Sequence, residues 1–227
     1  MKWQDWKEEY LEILRDMGYS MKNEIESLRI GSMAAMQHRN VLKGERALSL
    51  LRLLIKERCI VFGGGPSLTN SIDATMSIIG DSALVASDGS CAELYKRGIV
   101  PDIIVTDADG NLPAEQKMNA AGACLVLHFH GDNYRKASDF ARVLTGRVIV
   151  TTQAGPTEWT FNFGGFTDGD RAVLLCEEFG AQEVLLAGFD LPSWQDGSSS
   201  KKMRWAGRII HEAEERGLNV EFLGDGQ

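Results

Sequence analysis

Residues 59–65 read CIVFGGG, a short apolar run that ends in three glycines. Six similar runs follow it, and helix-length amphipathic segments separate them. They begin at residues 83, 102, 123, 147, 183 and 219 and read ALVASDG, DIIVTDADG, ACLVLHFHGDN, RVIVTTQ, EVLLAGFD and NVEFLGDG. Apolar strands that alternate with helices are typical of parallel βαβ units. The sequence therefore predicts an α/β domain with a doubly wound, mostly parallel sheet over residues 58–227.

Residues 1–57 show the periodicity of helices instead. Apolar residues recur there at helical spacing, as in Trp6, Tyr10, Ile13 and Met17. Further helices are predicted over residues 21–39 and 45–57. We expect an N-terminal helical appendage whose apolar side chains pack on the α/β core or on a partner subunit, with a lid over the substrate as the alternative. Residues 195–200, QDGSSS, predict a mobile loop.

The composition narrows the class of ligand. A net charge of −8 argues against binding to nucleic acid or to an anionic membrane, because both need a basic face. No apolar run is long enough to cross a bilayer, and the first residues lack the apolar core of a secretory signal, so we expect a cytoplasmic protein. The isolated cysteines, at positions 59, 91, 124 and 176, favour buried free thiols. An acidic protein can hold a nucleotide triphosphate only through a divalent metal, backbone N–H groups and a few cations.

The most informative run is PDIIVTDADG, at residues 101–110. Asp107 and Asp109 follow an apolar strand, and their spacing aims both carboxylates the same way if the backbone stays extended. Two like charges this close are unfavourable unless a cation neutralises them. Mg²⁺ prefers such hard oxygen ligands and fills its other positions with water and substrate phosphates. The pair therefore predicts a Mg²⁺ site, with Mn²⁺ as the alternative ion.

Two other strand ends suit a nucleotide. In GGGPSL, at residues 63–68, Gly64 and Gly65 allow the backbone to approach a phosphate, and Ser67 can donate to an anion at a helix N-terminus. A plain strand-to-helix turn is the alternative, because the loop lacks the lysine of a Walker A motif. Asp88, in ASDGS, either caps the next helix or belongs to the site.

The run HFHGDN, at residues 128–133, supplies candidate substrate contacts. Strand alternation places His128 and His130 on one face, where neutral imidazoles can orient phosphate or ring groups. A zinc site is disfavoured because no third soft ligand accompanies them. Asp132 and Asn133 either cap the following helix or bind the amine and ring nitrogens of a heterocycle.

The last motif, NFGGFTDGDRA at residues 162–172, gathers polar residues at a helix N-terminus. Thr167 can act as a helix cap, and acidic residues in a first turn complement the helix dipole. Asp168 and Asp170 together with Arg171 exceed what a cap needs. We therefore expect ligand contacts from this turn.

With these motifs in order, the region from about Cys59 to Phe222 resembles the archaeal 6-hydroxymethyl-7,8-dihydropterin pyrophosphokinase family, whose core is similar to thiamine pyrophosphokinase catalytic domains. The resemblance rests on GGGPSL, ASDG with a downstream G-x-x-PD, TDADG, HxHGDN and FTDGDRA. It implies Mg²⁺- and ATP-dependent transfer of diphosphate to the hydroxymethyl oxygen of a reduced pterin, with release of AMP. This reaction belongs to the biosynthesis of a folate-like one-carbon carrier such as tetrahydromethanopterin.

The resemblance also implies roles for individual residues. Asp107 and Asp109 look like metal ligands, and Asp88 is our candidate for accepting the hydroxyl proton. The expected nucleotide contacts are Gly64, Gly65, Ser67, Asp168 and Arg171, and the expected pterin contacts are His130, Asp132, Asn133 and Thr167. No motif in the first 55 residues can be tied to the family.

Three other functions are compatible with the same sequence. The closest alternative is a thiamine pyrophosphokinase, in which the acceptor carries a fixed positive charge. A second is a nucleotide-sugar-binding or transferase domain related to flagellin glycosylation proteins, and a third is a non-catalytic nucleotide-binding module. In each case we expect small-molecule ligands, no nucleic acid or membrane partner, and either a monomer or a homo-oligomer.

Overall fold

The computed structural model describes residues 3–190 and 200–223 of the chain. Its strands are β1 (Val41–Leu42), β2 (Arg58–Phe62), β3 (Ala83–Ser87), β4 (Ile103–Thr106), β5 (Cys124–Phe129), β6 (Val148–Thr152), β7 (Glu183–Ala187) and β8 (Asn219–Leu223). Its α-helices are α1 (Trp3–Met17), α2 (Met21–Gln37), α3 (Gly44–Leu54), α4 (Leu68–Thr75), α5 (Cys91–Lys96), α6 (Leu112–Ala120), α7 (Tyr134–Val143), α8 (Asp168–Glu178) and α9 (Lys201–Glu215). Residues 195–199 of the predicted loop lie outside the described residues. No helix in the described part of the chain is both long and apolar enough to cross a membrane.

The strands form one sheet in the order β1-β6-β5-β4-β3-β2-β7-β8, and every pairing between them is parallel. The seven predicted strands are β2 to β8, so the predicted α/β fold is confirmed. The sequence did not predict β1, which pairs with β6 at the sheet edge. A two-residue strand is too short to produce a recognisable periodicity.

Helices cover both faces of the sheet. In β2, Cys59 and Val61 pack in one hydrophobic core and Ile60 and Phe62 in the other, because successive side chains of a strand point to opposite faces. The first core contains buried residues of α1, α3, α8 and α9. The second contains those of α2, α4, α5, α6 and α7. The fold is therefore doubly wound, as the alternation of strands and helices predicted.

The N-terminal helices are part of these cores. Trp6, Tyr10 and Ile13 of α1 are at most 2% exposed and lie in the same core as α8 and α9. Burial of each such side chain contributes on the order of 2 kcal/mol. Gly31 of α2 lies directly against the ring of Phe129 in β5, where an added Cβ would come within 3.0 Å. The prediction that the N-terminal apolar stripes pack on the core is confirmed, and the division at residue 57 stays a prediction.

The strand order creates a switch point between β2 and β7. From β2 the chain adds strands outward to β6, and it then returns to place β7 on the other side of β2. Loops that leave the carboxyl ends of two such strands run in opposite directions and leave a crevice between them, where open α/β sheets bind ligands. The predicted glycine loop follows β2, so the fold places it at this crevice.

Candidate active site

A cleft of about 430 Å³ opens at the carboxyl ends of the central strands. Its described walls come from five segments: residues 63–66 after β2, 87–89 after β3, 107 and 109 after β4, 167–169 at the start of α8, and 188–190 after β7. Lys202, Met203 and Ala206 of α9 complete the lining. The loops after β2 and β3 meet closely, since a Cβ on Gly64 would lie 3.0 Å from the Cα of Gly89. Five motifs that are far apart in sequence thus share one cavity.

Three carboxylates converge in this cleft. One oxygen from each of Asp88, Asp107 and Asp109 lies within 4.8 Å of the others. The sequence predicted the last two as a pair, and the structure adds Asp88, which follows the neighbouring strand β3. Such a group of hard oxygen atoms is suited to a divalent cation.

The backbone between the two aspartates differs from the expected extended form. Ala108 has a φ of +66° and is the one non-glycine residue with positive φ in the described part of the chain. Its N–H is bonded to the Thr106 hydroxyl at 2.9 Å, and its side chain is completely buried. A left-handed alanine is strained by about 1–2 kcal/mol, and such strain is concentrated at functional sites. The turn at Ala108, not strand alternation, sets the directions of the two carboxylates.

Asp107 is held from several directions. The ring of His130 lies 3.0 Å from its Oδ2, the Asn133 amide donates to its carbonyl at 2.8 Å, and its own N–H donates to Asp168 at 3.2 Å. Burial alone would raise its pKa, but the hydrogen bond with His130 and the charge of Arg171 outweigh burial and hold the pKa below its usual range. The residue is therefore an anion at neutral pH.

The second carboxylate oxygen of Asp107, Oδ1, is buried and has no hydrogen-bond partner. A buried anionic oxygen without a partner is unfavourable unless a ligand satisfies it. The three-carboxylate group and this orphaned oxygen fit a hard divalent cation such as Mg²⁺. The residues that would hold it are Asp107 and Asp109 with Asp88.

The pKa of Asp88 is shifted in the opposite direction to that of Asp107. Burial, followed by the charge of Asp168 and a hydrogen bond with Asp109, raises its pKa to about 10. Three ionised carboxylates so close together repel one another, and a proton on Asp88 relieves that repulsion. A cation bound there would take the place of this proton.

Behind the cleft, a buried polar network supports Asp168. Arg171 donates to Asp168 at 2.8 Å and to the side-chain amide oxygen Oε1 of Gln153 at 3.1 Å. The same Gln153 oxygen lies 2.7 Å from Nε2 of His128, whose Nδ1 lies 2.9 Å from the Thr151 hydroxyl. Burial lowers the pKa of His128, so its ring is neutral and carries its proton on Nε2, facing the Gln153 acceptor. Burial also raises the pKa of Asp168 to about 6, although Arg171 opposes this.

Thr167 begins α8 with a capping box. Its hydroxyl and the backbone N–H of Asp170 lie 3.5 Å apart, and both the Thr167 N–H and its hydroxyl donate to the Asp170 carboxylate. Asp170 is completely buried and also accepts from the Phe166 N–H, so it is a structural cap. Thr167 still lines the cleft, as do Asp168 and Gly169.

In the glycine loop, the Ser67 donors that the sequence predicts for a phosphate are occupied by a carboxylate of the protein itself. The Ser67 N–H and hydroxyl both donate to the carboxylate of Asp190 at 2.9 Å. Ser67 itself does not line the cleft, whereas Gly64 and Gly65 do. A phosphate could use the Ser67 donors only if Asp190 released them, so the role of Ser67 stays a prediction.

Four other predicted contact residues lie outside the cleft lining: His130, Asp132, Asn133 and Arg171. His130 and Asn133 contact Asp107, and Arg171 contacts Asp168, so they act on the cleft through its aspartates. Asp132 is exposed on the loop after β5. Direct contacts of these four residues with a substrate stay predictions.

Two residues of the lining, Lys202 and Phe189, were not predicted from the sequence. Lys202 is the one cation among the described lining residues, which otherwise include five aspartates. Phe189 forms an apolar wall and is wedged between two glycines, since a Cβ on Gly63 or Gly169 would come within 2.9 Å of its ring. Phe189 follows a predicted strand and could have been selected by that position. Lys202 lies on a helix with no motif, and only the folded chain brings it to the cleft.

A scan of family models finds a match, described as 6-hydroxymethylpterin diphosphokinase MptE-like, over residues 33–196. Three proteins named 6-hydroxymethyl-7,8-dihydropterin pyrophosphokinase are similar to this chain. The protein of Pyrococcus furiosus is 34% identical, with 96% of each chain covered. That of Methanothermobacter thermautotrophicus is 34% identical over 84% of this chain and 79% of its own. That of Methanocaldococcus jannaschii is 29% identical over 98% of this chain and all of its own.

Among solved structures, the Maf glycosyltransferase from Magnetospirillum magneticum AMB-1 has a similar fold. Its TM-score is 0.55 at 14% identity, and the match covers 87% of this chain and 38% of that one. At this identity the likeness concerns the fold alone. It is consistent with the parallel sheet and its two helical layers described above.

Proposed function

This chain belongs to the MptE-like 6-hydroxymethylpterin diphosphokinase family, and we propose that it transfers the terminal diphosphate of ATP to the hydroxymethyl oxygen of 6-hydroxymethyl-7,8-dihydropterin, with Mg²⁺ and with release of AMP. The observation that carries the proposal is the convergence of Asp88, Asp107 and Asp109 at the sheet's switch point, beside the glycine loop. The relatives' names support the acceptor and the reaction class.

In the proposed reaction the chain positions ATP and the reduced pterin and stabilises the negative charge that develops during transfer of the diphosphate. Transfer of a phosphoryl group needs little covalent help, so positioning and electrostatic stabilisation dominate. When bound between the carboxylates and the phosphates, Mg²⁺ would neutralise the charge on the transferred group and on AMP. Asp107 and Asp109 would hold it. Their directions are preset by Ala108 and by the hydrogen bond between Asp107 and His130.

The remaining lining residues fit the other parts of the substrates. Gly64 and Gly65 leave room for the backbone to approach phosphates, and Lys202 supplies a positive charge in the cleft lining. Phe189 and Met203 offer apolar surface for a heterocyclic ring. In the metal-free protein Asp88 holds a proton that a neighbouring cation would displace, and the resulting carboxylate in the cleft lining would be available to accept the hydroxyl proton.

The direct test mixes the protein with the reduced pterin, ATP and Mg²⁺ and analyses the nucleotide products. We expect AMP and the pterin diphosphate in equal amounts. ADP in place of AMP would indicate a simple kinase, and no turnover despite ATP binding would indicate a nucleotide-binding module. Either result would refute the proposed reaction.

A parallel reaction with thiamine tests the acceptor. Among the described lining residues the aspartates outnumber the single lysine, so charge alone would also admit a cationic acceptor. The family assignment favours the pterin. A higher kcat/KM for thiamine than for the pterin would identify thiamine as the acceptor and leave the proposed diphosphate transfer unchanged.

The four cysteines are free and buried, which suits the reducing cytoplasm in which we place the reaction.

A further inference from the structure

Glu115 is a buried carboxylate that neither the motifs nor the reaction explains. It lies in the first turn of α6, its side chain is completely buried, and neither of its oxygens has a hydrogen-bond partner. Burial raises its pKa to about 7, and the nearby Thr106 hydroxyl, which makes no hydrogen bond of ordinary geometry with it, opposes this rise only in part. An ionised carboxylate in such a place is unfavourable unless an opposite charge compensates it.

The carboxylates of the cleft do not provide this compensation. The charges that act most strongly on Glu115 are those of Asp168, Asp107 and Asp109, and all three are negative. A structural role would pair this carboxylate with a backbone donor or an arginine, as happens for Glu24, which accepts from the Gly131 N–H at 3.0 Å. The compensating charge for Glu115 must therefore come from a ligand or from a bound proton.

Glu115 faces the carboxylate group of the cleft across Gly110. A Cβ added to Gly110 would lie 3.0 Å from Oε1 of Glu115 and 3.0 Å from Oδ2 of Asp88. These two oxygens are therefore at most about 6 Å apart, which is the span of two hydrogen bonds to one water molecule. Glu115 is not one of the three residues whose oxygens lie within 4.8 Å of one another, so it stands one layer behind them.

From this placement we propose that Glu115 is the fourth carboxylate of the cation site and receives hydrogen bonds from the water ligands of the bound divalent ion. The inference rests on the proposed function for the identity of the ion. Mg²⁺ and Mn²⁺ keep several waters when one or two carboxylates hold them, and those waters donate to nearby acceptors. At this separation one water ligand of the ion can bridge the Asp88 and Glu115 oxygens.

The test measures Mn²⁺ binding to the full chain without nucleotide or pterin, from the free-ion signal in electron paramagnetic resonance. Glu115→Gln keeps the shape but removes the charge, and we expect it to weaken Mn²⁺ binding by about 10-fold or more. Gly110→Ala would place a Cβ 2.9 Å from the Cβ of Asp88 and 3.0 Å from Oε1 of Glu115, so it must displace one of the two residues without removing a carboxylate, and we expect weaker Mn²⁺ binding there as well. Glu183→Gln, the same change at the opposite edge of the sheet in a residue paired with Arg58, is the matched control and should bind as the wild type does.

Two results would overturn the inference. The first is wild-type Mn²⁺ affinity in both Glu115→Gln and Gly110→Ala, with Asp109→Asn weakened, which would make Glu115 a protonated structural acid. The second is no Mn²⁺ binding by the wild type. The Mn²⁺ assay contains no substrate, so its result can be separated from that of the activity assay. A Glu115→Gln protein that transfers diphosphate and binds Mn²⁺ as tightly as the wild type would refute only this inference. Mn²⁺ affinities as expected, in a wild-type protein that transfers no diphosphate, would refute only the proposed function.

Discussion

Replacing Asp109 by asparagine should stabilise the metal-free protein and destabilise the metal-bound one relative to the wild type. Asp109 is exposed, and its carboxylate lies within 4.8 Å of those of Asp88 and Asp107. Asparagine keeps the side-chain shape and one acceptor oxygen but removes the negative charge. The fold should therefore persist while the cation is held less tightly.

The magnitude follows from the separation. Two unit charges 4.8 Å apart repel by about 3.5 kcal/mol at an effective dielectric constant of about 20. Three ionised carboxylates would then repel by about 10 kcal/mol, comparable to the whole free energy of unfolding of a domain. Protonation of Asp88, whose pKa is raised to about 10, leaves mainly the pair Asp107 and Asp109. Solvent around the exposed Asp109 screens this pair, so the variant should gain about 1 kcal/mol, or about 2–4 °C in Tm.

Thermal melts in EDTA and over a Mg²⁺ titration measure both effects. The variant should melt above the wild type in EDTA and below it at saturating Mg²⁺, and its turnover should fall by several orders of magnitude at limiting Mg²⁺. Asp81→Asn, in an exposed residue at the opposite edge of the sheet, is the control and should show neither effect. Equal Mg²⁺ responses and wild-type kinetics in Asp109→Asn would refute the assignment of the metal site.

Three further predictions concern the rest of the cleft. Lys202→Gln should raise the KM for ATP by about 10-fold and leave AMP binding unchanged, because a lysine contact to the phosphate chain is a charge-assisted hydrogen bond. The control is Lys201→Gln, in a residue bonded to Asp16, which should change neither quantity. Equal effects of the two variants would contradict the role of Lys202. Asp190→Ala should tighten ATP binding several-fold, since it removes the anion that occupies the Ser67 donors, and calorimetry that shows weaker binding would argue against competition. In EDTA the Tm should fall as pH rises from about 4 to about 8, because burial raises the folded pKa values of Glu115 and Asp168 to about 7 and about 6 and that of Asp88 to about 10, so these groups bind more protons in the folded protein than in the unfolded one. His128, which burial keeps neutral in the fold, opposes this fall below about pH 6.5, but it is one group against three. Mg²⁺ should reduce this fall, and a Tm that rises over the same range without metal would contradict the pKa assignments.

Much of the candidate site could be predicted because its residues follow strands. Asp88, Asp107 and Gly64 each come directly after an apolar run, and in a parallel sheet the carboxyl ends of all strands lie at one edge. That rule needs only local periodicity and the alternation of strands with helices. It does not extend to Lys202, which lies within a helix and lines the cleft, or to Glu115, which lies buried within another helix behind the cleft, because only the packing of those helices places them there.

The sequence by itself determined where seven strands begin, that they run parallel, and that a pair of aspartates follows β4, because each of these depends on the pattern of apolar residues within one short segment. Only the tertiary structure decided that β7 returns beside β2, that Ala108 turns left-handed, and that Asp190 occupies the Ser67 donors. Strand order, a strained dihedral angle and a contact across 123 residues each depend on the energy of the whole packed chain. A local pattern contains no information about them, because the same short segment can meet different neighbours in different folds.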